Sequence, residues 1–262
     1  MGVVTPTNKS VLELQGLHVY HSGISNCSMR VVMTLEEKGL EWQSHHLDIR
    51  KKEHITDEYF GINPNGVVPT LVHDGKVIIE SADIIDYLDL EFSEPPLRPA
   101  DEVDVEAMMA WVHRAADMHL KAVKTHIYAE RMRGAMTQVA EERELYERLQ
   151  TNESLLEFHR KSAGDGFTQA ELDAAKATLD ESFADLNAAL EGRDWIVGDN
   201  FSLADIAWIP VHFTLHILAG YSYENFPAVA DWAQRVAARP SYQRGILDWW
   251  PQEMKPPAKN TA

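Results

Sequence analysis

Residues 18–40 read His18-Val-Tyr-His-Ser-Gly-Ile-Ser-Asn-Cys-Ser-Met-Arg-Val-Val-Met-Thr-Leu-Glu-Glu-Lys-Gly-Leu40, and the fold turns on this stretch. Leu17, Val19 and Tyr20 suit a buried strand, and Gly23 breaks that pattern. Met29, Val32, Met33 and Leu35 then recur at helical spacing until Gly39 stops the run. A strand feeds a turn, and the turn opens a helix. Ser25, Asn26, Cys27 and Ser28 occupy the turn. A helix start presents unpaired N–H groups and the positive end of a dipole, so a thiolate, phosphate or carboxylate is stabilised there. Ser and Asn are also the ordinary N-cap residues, and capping alone is enough to explain this stretch in isolation.

After Gly39, residues 42–49 alternate as a second strand. The resulting βαβ unit implies a parallel pair. His45 and His46 are adjacent on that strand and point to opposite faces, an arrangement unsuited to sharing a metal. Asp74-Gly75 between Thr70-Leu-Val-His73 and Lys76-Val-Ile-Ile79 is a strong hairpin signal. Pro69 opens the first of these strands, and Val68-Pro69 is a candidate cis bond. A helix follows Glu80-Ser81, with Ile84, Ile85 and Leu88 on one side. These elements predict an α/β domain over residues 15–92, with a four-stranded mixed sheet inside 15–90. Residues 1–14 are expected to form a loosely held arm.

The Pro-rich residues 93–100 read as a linker, and residues 101–250 as an all-α domain. Met108, Trp111, Ala115 and Met118 share a face within 101–134, and residues 138–163 carry many charges. Leu172, Ala175, Leu179, Phe183, Leu186 and Leu190 form a clean stripe within 168–191. Phe201-Ser-Leu-Ala-Asp-Ile206 contains a capping box, Ser202 with Asp205, ahead of an apolar run to Leu218. Phe226-Pro227 begins another helix that ends before Pro240.

The 262 residues carry 41 acidic against 24 basic side chains, a net charge of −17, which argues against nucleic-acid binding. Cys27 is the single cysteine, so no intrachain disulfide forms and nothing suggests an oxidising compartment. The N-terminal residues lack the pattern of a signal peptide, and no apolar run is long enough to span a bilayer. A soluble cytoplasmic protein without membrane association is the expectation. No His-Glu-x-x-His, paired cysteine, Gly-rich phosphate loop or nucleophile elbow occurs, so no metal is expected.

Three separated elements, Ser25-Asn-Cys-Ser-Met-Arg30, Val68-Pro69 and Glu80-Ser81, resemble the thioredoxin-like domain of the glutathione S-transferases in order and spacing. The resemblance implies glutathione as co-substrate and a homodimer. It implies that Val68 pairs its backbone with the glutathione cysteinyl group, that a cis Pro69 holds that edge open, and that Glu80 and Ser81 hold the γ-glutamyl end. Lys52 and His54 are the candidates for the glycine carboxylate. The Ser25-x-Cys27-Ser28 motif resembles zeta-type isomerases, where Ser25 would activate the thiolate. It also resembles reductive dehalogenases, where Cys27 would resolve a mixed disulfide.

A longer resemblance is to the bacterial glutathione-dependent β-etherases that cleave lignin-derived aryl ethers. It runs through Cys27-Ser-Met-Arg30, Thr34-Leu-Glu-Glu-Lys-Gly-Leu-Glu41 and Asn63-Pro-x-Gly-x-Val-Pro69. It continues in His73-Asp-Gly-Lys-Val77, Leu97-Arg-Pro-Ala-Asp101 and a charged insertion ending at Gly166-Phe167. Those etherases have Asn at the position of Cys27 and retain Ser28, which leaves Ser25, Asn26, Cys27 and Ser28 all open as the sulfur contact. The implied reaction is attack of glutathione thiolate on the carbon α to an aryl ketone, with loss of a phenolate. Trp111, Tyr128 and Trp208 are the candidate residues lining a hydrophobic aromatic pocket between the domains. The same fold also serves as a non-catalytic binding or dimerisation module, an alternative that retention of the serine turn weighs against.

Overall fold

The computed structural model describes residues 2–131, 140–164 and 166–254. Val3–Val4 (β1), Leu17–His21 (β2), Gln43–His46 (β3), Thr70–His73 (β4) and Lys76–Ile79 (β5) form one sheet in the order β1-β5-β4-β2-β3. β2 and β3 are parallel, and the other neighbours are antiparallel. The sheet has five strands, which corrects the expected four: Val3 and Val4 pair with Ile78 and Val77. The expected loose arm is corrected with it. The 3-10 turn Lys9–Glu13 seats Val11 in a small core with Tyr59, Val68 and Val72, and Asn8 N–H donates to the Gly61 carbonyl at 2.9 Å. A two-residue strand is too short to show alternation, so pattern reading passes over it.

Asn26–Lys38 (α1) starts at Ser25, whose Oγ accepts the Ser28 N–H at 3.2 Å. It ends at Gly39, in the left-handed conformation at φ 63°, where the Gly39 and Leu40 N–H groups return to the Leu35 carbonyl. Asp57–Phe60 (α2) is one short turn. Asp74 and Gly75 take φ 48° and 78°, the mirror-image turn that suits a two-residue hairpin. Val68-Pro69 is cis, as expected, and so is Glu94-Pro95. Ser81–Glu91 (α3) closes this layer.

The rest is helical: Glu102–Met118 (α4), a π-helical stretch His119–Lys124, Thr125–Arg131 (α5), Ala140–Leu149 (α6), Glu153–Ala163 (α7), Gln169–Leu190 (α8), Leu203–Ala219 (α9), Pro227–Ala237 (α10) and the short Pro240–Tyr242 (α11). Among the described residues no strand lies between 101 and 250. The expected stretches 101–134 and 138–163 extend into 132–139, which lies outside the described residues. α9 is the central helix, with Leu203, Ile206, Ala207, Trp208, Val211 and Leu215 almost wholly enclosed. The Ser202–Asp205 box is present at its start. Asp205 also accepts the Trp232 indole N–H at 2.7 Å and the Ile196 N–H at 3.2 Å.

One buried cation joins the two parts. Arg30, on α1, is 1% exposed. Its Nε donates to the Ala207 carbonyl of α9 at 3.0 Å, its Nη2 to the Ala115 carbonyl of α4 at 3.0 Å, and its Nη1 to Ser81 Oγ of α3 at 3.1 Å. Further ties flank it. Lys38 pairs with Asp89 at 2.7 Å and donates to the Pro95 carbonyl at 2.8 Å, and Glu37 takes Arg239 in two bonds of 2.7 Å. Hydrogen bonds to a charged group contribute roughly 1.5–3 kcal/mol each, so Arg30→Met is expected to cost about 3–5 kcal/mol of stability. Urea unfolding checks this. A loss below about 1 kcal/mol would show that the three acceptors find other partners.

Candidate active site

The turn at the start of α1 divides its four polar residues. Ser25 and Cys27 retain open surface, whereas Asn26 and Ser28 are buried. Ser28 Oγ faces back into the fold and accepts the Ser22 N–H at 3.2 Å. Asn26 Nδ2 donates to Thr214 Oγ1 of α9 at 3.3 Å, and its Oδ1 is buried without a partner. The Ser25 hydroxyl accepts from Ser28 as the cap, so its own proton is free to donate outward.

The start of α3 lies beside this turn. Ser81 receives the Arg30 bond, which ties the two helix starts together. Glu80 holds φ 67° and ψ 114°, a costly conformation for a non-glycine residue. Its Oε1 accepts Asn65 Nδ2 at 3.3 Å. Burial raises its pKa, opposed by the Asn65 bond. Val68, two residues before β4, makes no backbone hydrogen bond among the described residues, so that edge is open.

α6 and α7, the charged insertion of the sequence, pack over this unit. Arg148 pairs with Asp57 at 3.1 Å, Tyr146 packs edge-on to Phe60, and Gln150 Nε2 donates to the Asn65 carbonyl at 2.7 Å. Lys52 takes φ 60° and is paired with Glu142 of α6, so its ammonium is already engaged. His54 is different: its Nδ1 is buried and unpartnered, and burial, then the Lys124 charge, push its pKa down to about 4.

Of the three expected pocket aromatics, Trp111 and Trp208 meet edge-on at 5.4 Å between centroids, whereas Tyr128 makes no ring contact with either. Tyr128 of α5 lies edge-on to Phe158 of α7 at 5.2 Å between centroids. Trp208 is fully buried, and its indole N–H donates to the Trp111 carbonyl at 2.9 Å. Its place is in the core against Phe183, which corrects its assignment to a pocket lining. Trp111 covers Trp208 beneath the Arg114 guanidinium, which pairs with Asp185 of α8. The sequence reading passed over Arg30, Asn65, His119, Lys124 and His159. Arg30 stood in the quoted motif, but its position i+3 from Cys27 gives no hint of three acceptors on three other helices.

A thioredoxin-like sheet, an open edge before a cis proline and two joined helix starts under a helical domain define a glutathione S-transferase, and the chain belongs to that family. The family model for the glutathione S-transferase N-terminal domain matches residues 24–91, and that for the C-terminal domain matches residues 115–240. Among individual proteins, Protein LigF of Sphingobium sp. is 33% identical over 234 residues, 86% of this chain and 91% of LigF. The solved structure of β-etherase LigF from strain SYK-6 superposes with a TM-score of 0.79 at 32% identity, covering 88% of this chain and 98% of that one. The tetrachloro-p-hydroquinone reductive dehalogenase of Sphingobium chlorophenolicum is 28% identical over 248 residues, 88% of this chain and 96% of its own. A zeta-class glutathione S-transferase of Euphorbia esula is 39% identical over 101 residues, 38% of this chain and 43% of its own. Among the described residues no helix is long and apolar enough to cross a membrane.

Buried histidines set an acid limit. Burial is the first cause that pushes His21, His54, His159 and His212 down to about 3, 4, 3 and 4. An unfolded histidine protonates near pH 6.5, so below about that pH the unfolded chain takes up protons that the folded chain refuses. Stability therefore falls as pH drops from about 6.5 to about 4. Asp205 acts in the opposite sense: burial raises its pKa to about 6, so its contribution is lost as pH rises towards that value. Four histidines outweigh this one carboxylate. The urea midpoint is expected to decline across the window, and a midpoint that rises towards pH 4 contradicts the assignment.

Proposed function

We propose that this glutathione transferase cleaves the β-aryl ether of a lignin-type aryl ketone. Glutathione thiolate attacks the carbon α to the carbonyl. The C–S bond forms, the C–O bond breaks, and the electron pair leaves on the phenolate oxygen. The observation that carries the reading is the similarity to β-etherase LigF along 86% of the chain. On this reading residues 15–92 bind glutathione, 93–100 link, and 101–250 supply the electrophile site, in a cytoplasmic homodimer. The thiolate rests on the α1 start, whose dipole contributes about 0.3–2 kcal/mol. Ser25 donates to the sulfur, Cys27 borders it, and Asn26 and Ser28 shape the turn from beneath. The Val68 backbone pairs with the cysteinyl unit beside Pro69. Glu80 and Ser81 hold the γ-glutamyl end. With Lys52 paired to Glu142, His54 is the better candidate for the glycine carboxylate.

The direct test is release of phenol from a β-aryl ether ketone in the presence of glutathione. Ser25→Ala is expected to raise the pKa of bound glutathione and reduce turnover without abolishing it, because several donors share the anion. Glu80→Ala and Ser81→Ala should each weaken glutathione binding by about 1.5–3 kcal/mol, tenfold or more in Kd by calorimetry. Unchanged affinity in both removes them from the site.

A second reading is reductive dehalogenation, favoured by the open surface of Cys27 and the similarity to the Sphingobium chlorophenolicum enzyme. There a glutathionyl aromatic would pass its sulfur to the Cys27 thiolate as a mixed disulfide, and a second glutathione would release it. Cys27→Ser separates the two. Ether cleavage should survive nearly intact, and dehalogenation should be lost.

A further inference from the structure

Lys124 closes the π-helical stretch between α4 and α5. Such turns recur at functional sites because they re-aim side chains. Here Thr125 Oγ1 donates to the Leu120 carbonyl at 3.2 Å, the five-residue reach of that geometry. Among the described residues the Lys124 ammonium makes no ion pair and no hydrogen bond. Its Nζ stands over the Phe158 ring, 5.5 Å from the centroid. It retains some surface while protein crowds it. Burial lowers its pKa, and charge at Cys27 acts to raise it. Lys124 is therefore within electrostatic reach of the α1 turn.

Three histidines from three elements feel its charge, and His159 shares the Phe158 ring with it, 5.8 Å between ring centroids. His54 precedes α2, His119 begins the π-helical stretch, and His159 lies on α7 against Phe158 and Tyr146. Each has a buried Nδ1 without a partner. Burial and then the Lys124 charge keep all three rings neutral. Arg30 acts weakly on His119, and His54 on His159. Among the described residues no carboxylate enters the electrostatics of these four groups, in a chain with 41 acidic residues. No group of three or more residues able to hold a metal ion occurs among the described residues. One unpaired ammonium ringed by neutral polar nitrogens is a receptor for a single negative oxygen on an otherwise aromatic ligand.

We propose that Lys124 binds the phenolate oxygen of the departing aryl group and gives it a proton as the C–O bond breaks. This rests on the ether-cleaving reading above. The negative charge of the thiolate at the α1 turn moves to the leaving oxygen, and the Lys124 ammonium, which feels charge at Cys27 and has no carboxylate partner among the described residues, is the cation left to receive it. The ammonium loses one proton to the phenolate, and the amine regains one from solvent. His119 and His159 supply hydrogen bonds to oxygen substituents of the ring, while His54 is left to the glycine carboxylate of glutathione.

The experiment compares wild type, Lys124→Met and Lys124→Arg on ether ketones with leaving phenols of graded acidity. Lys124→Met is expected to lose about a hundredfold in kcat for a weakly acidic phenol and only a few-fold for para-nitrophenol, with Lys124→Arg intermediate. An equal loss across the series overturns the proposal. So does weakened glutathione binding with unaltered dependence on the leaving group, which would assign Lys124 to a glutathione carboxylate. A second measurement needs no turnover: titration of para-nitrophenol bound to the glutathione complex, followed by phenolate absorbance. Wild type should lower its pKa and Lys124→Met should not; no shift in wild type overturns the proposal. If no ether ketone releases phenol, the ether reading falls, and this titration still decides whether Lys124 receives a phenolate.

Discussion

A buried guanidinium is costly unless every direction in which it can donate is answered. Arg30 meets that condition with partners on three separate helices, the Ala207 and Ala115 carbonyls and the Ser81 hydroxyl. None of those partners is near it in sequence. Once α1 packs against α9 and α4, the start of α3 is drawn to the start of α1. The turn that carries Ser25 and Cys27 is thereby fixed relative to Glu80 and Ser81. Much of the site geometry follows from satisfying one charge.

The same economy governs the outer ties. Lys38 and Asp89 are both enclosed, and the pair also collects Arg98, the Leu97 N–H and the Pro95 carbonyl. The proline-rich connection between the two parts is thus pinned to α1 and α3. Glu37 holds Arg239 and Ser241 on the far side, bringing the C-terminal segment back onto α1. The first helix after the turn is the axis on which both parts are mounted.

Charge distribution separates surface from crevice. The chain is strongly acidic, yet among the described residues the groups coupled to Lys124 include neutral rings and no carboxylate. The excess of acids keeps the outside solvated. Around Lys124, low dielectric and the lack of counter-charge leave a cation available to an anion that forms during reaction. α6 and α7 complete this enclosure through contacts to Asp57, Phe60 and Asn65, so the insertion helps to build the site.

The sequence by itself determined what is local. Ser25 at a helix start, Asp74-Gly75 in a hairpin and the Ser202–Asp205 box were legible because each depends on a few consecutive residues and on backbone geometry. The switch from strand to helix periodicity was legible for the same reason. Tertiary structure decided the rest. β1 is too short to carry a pattern, and its place comes from pairing with a strand over seventy residues away. Trp208 and Tyr128 look alike as aromatic residues of helices, and only packing sends one to the core against Phe183 and the other against Phe158 of α7. Ser25 and Ser28 look alike in a turn, and only the Ser22 bond turns Ser28 inward. Lys124 and the three histidines are scattered over more than a hundred residues, and a π-helical stretch offsets two of them from ordinary spacing. Their meeting is a property of the folded chain, because it depends on which charges are left without partners once every other group has found one.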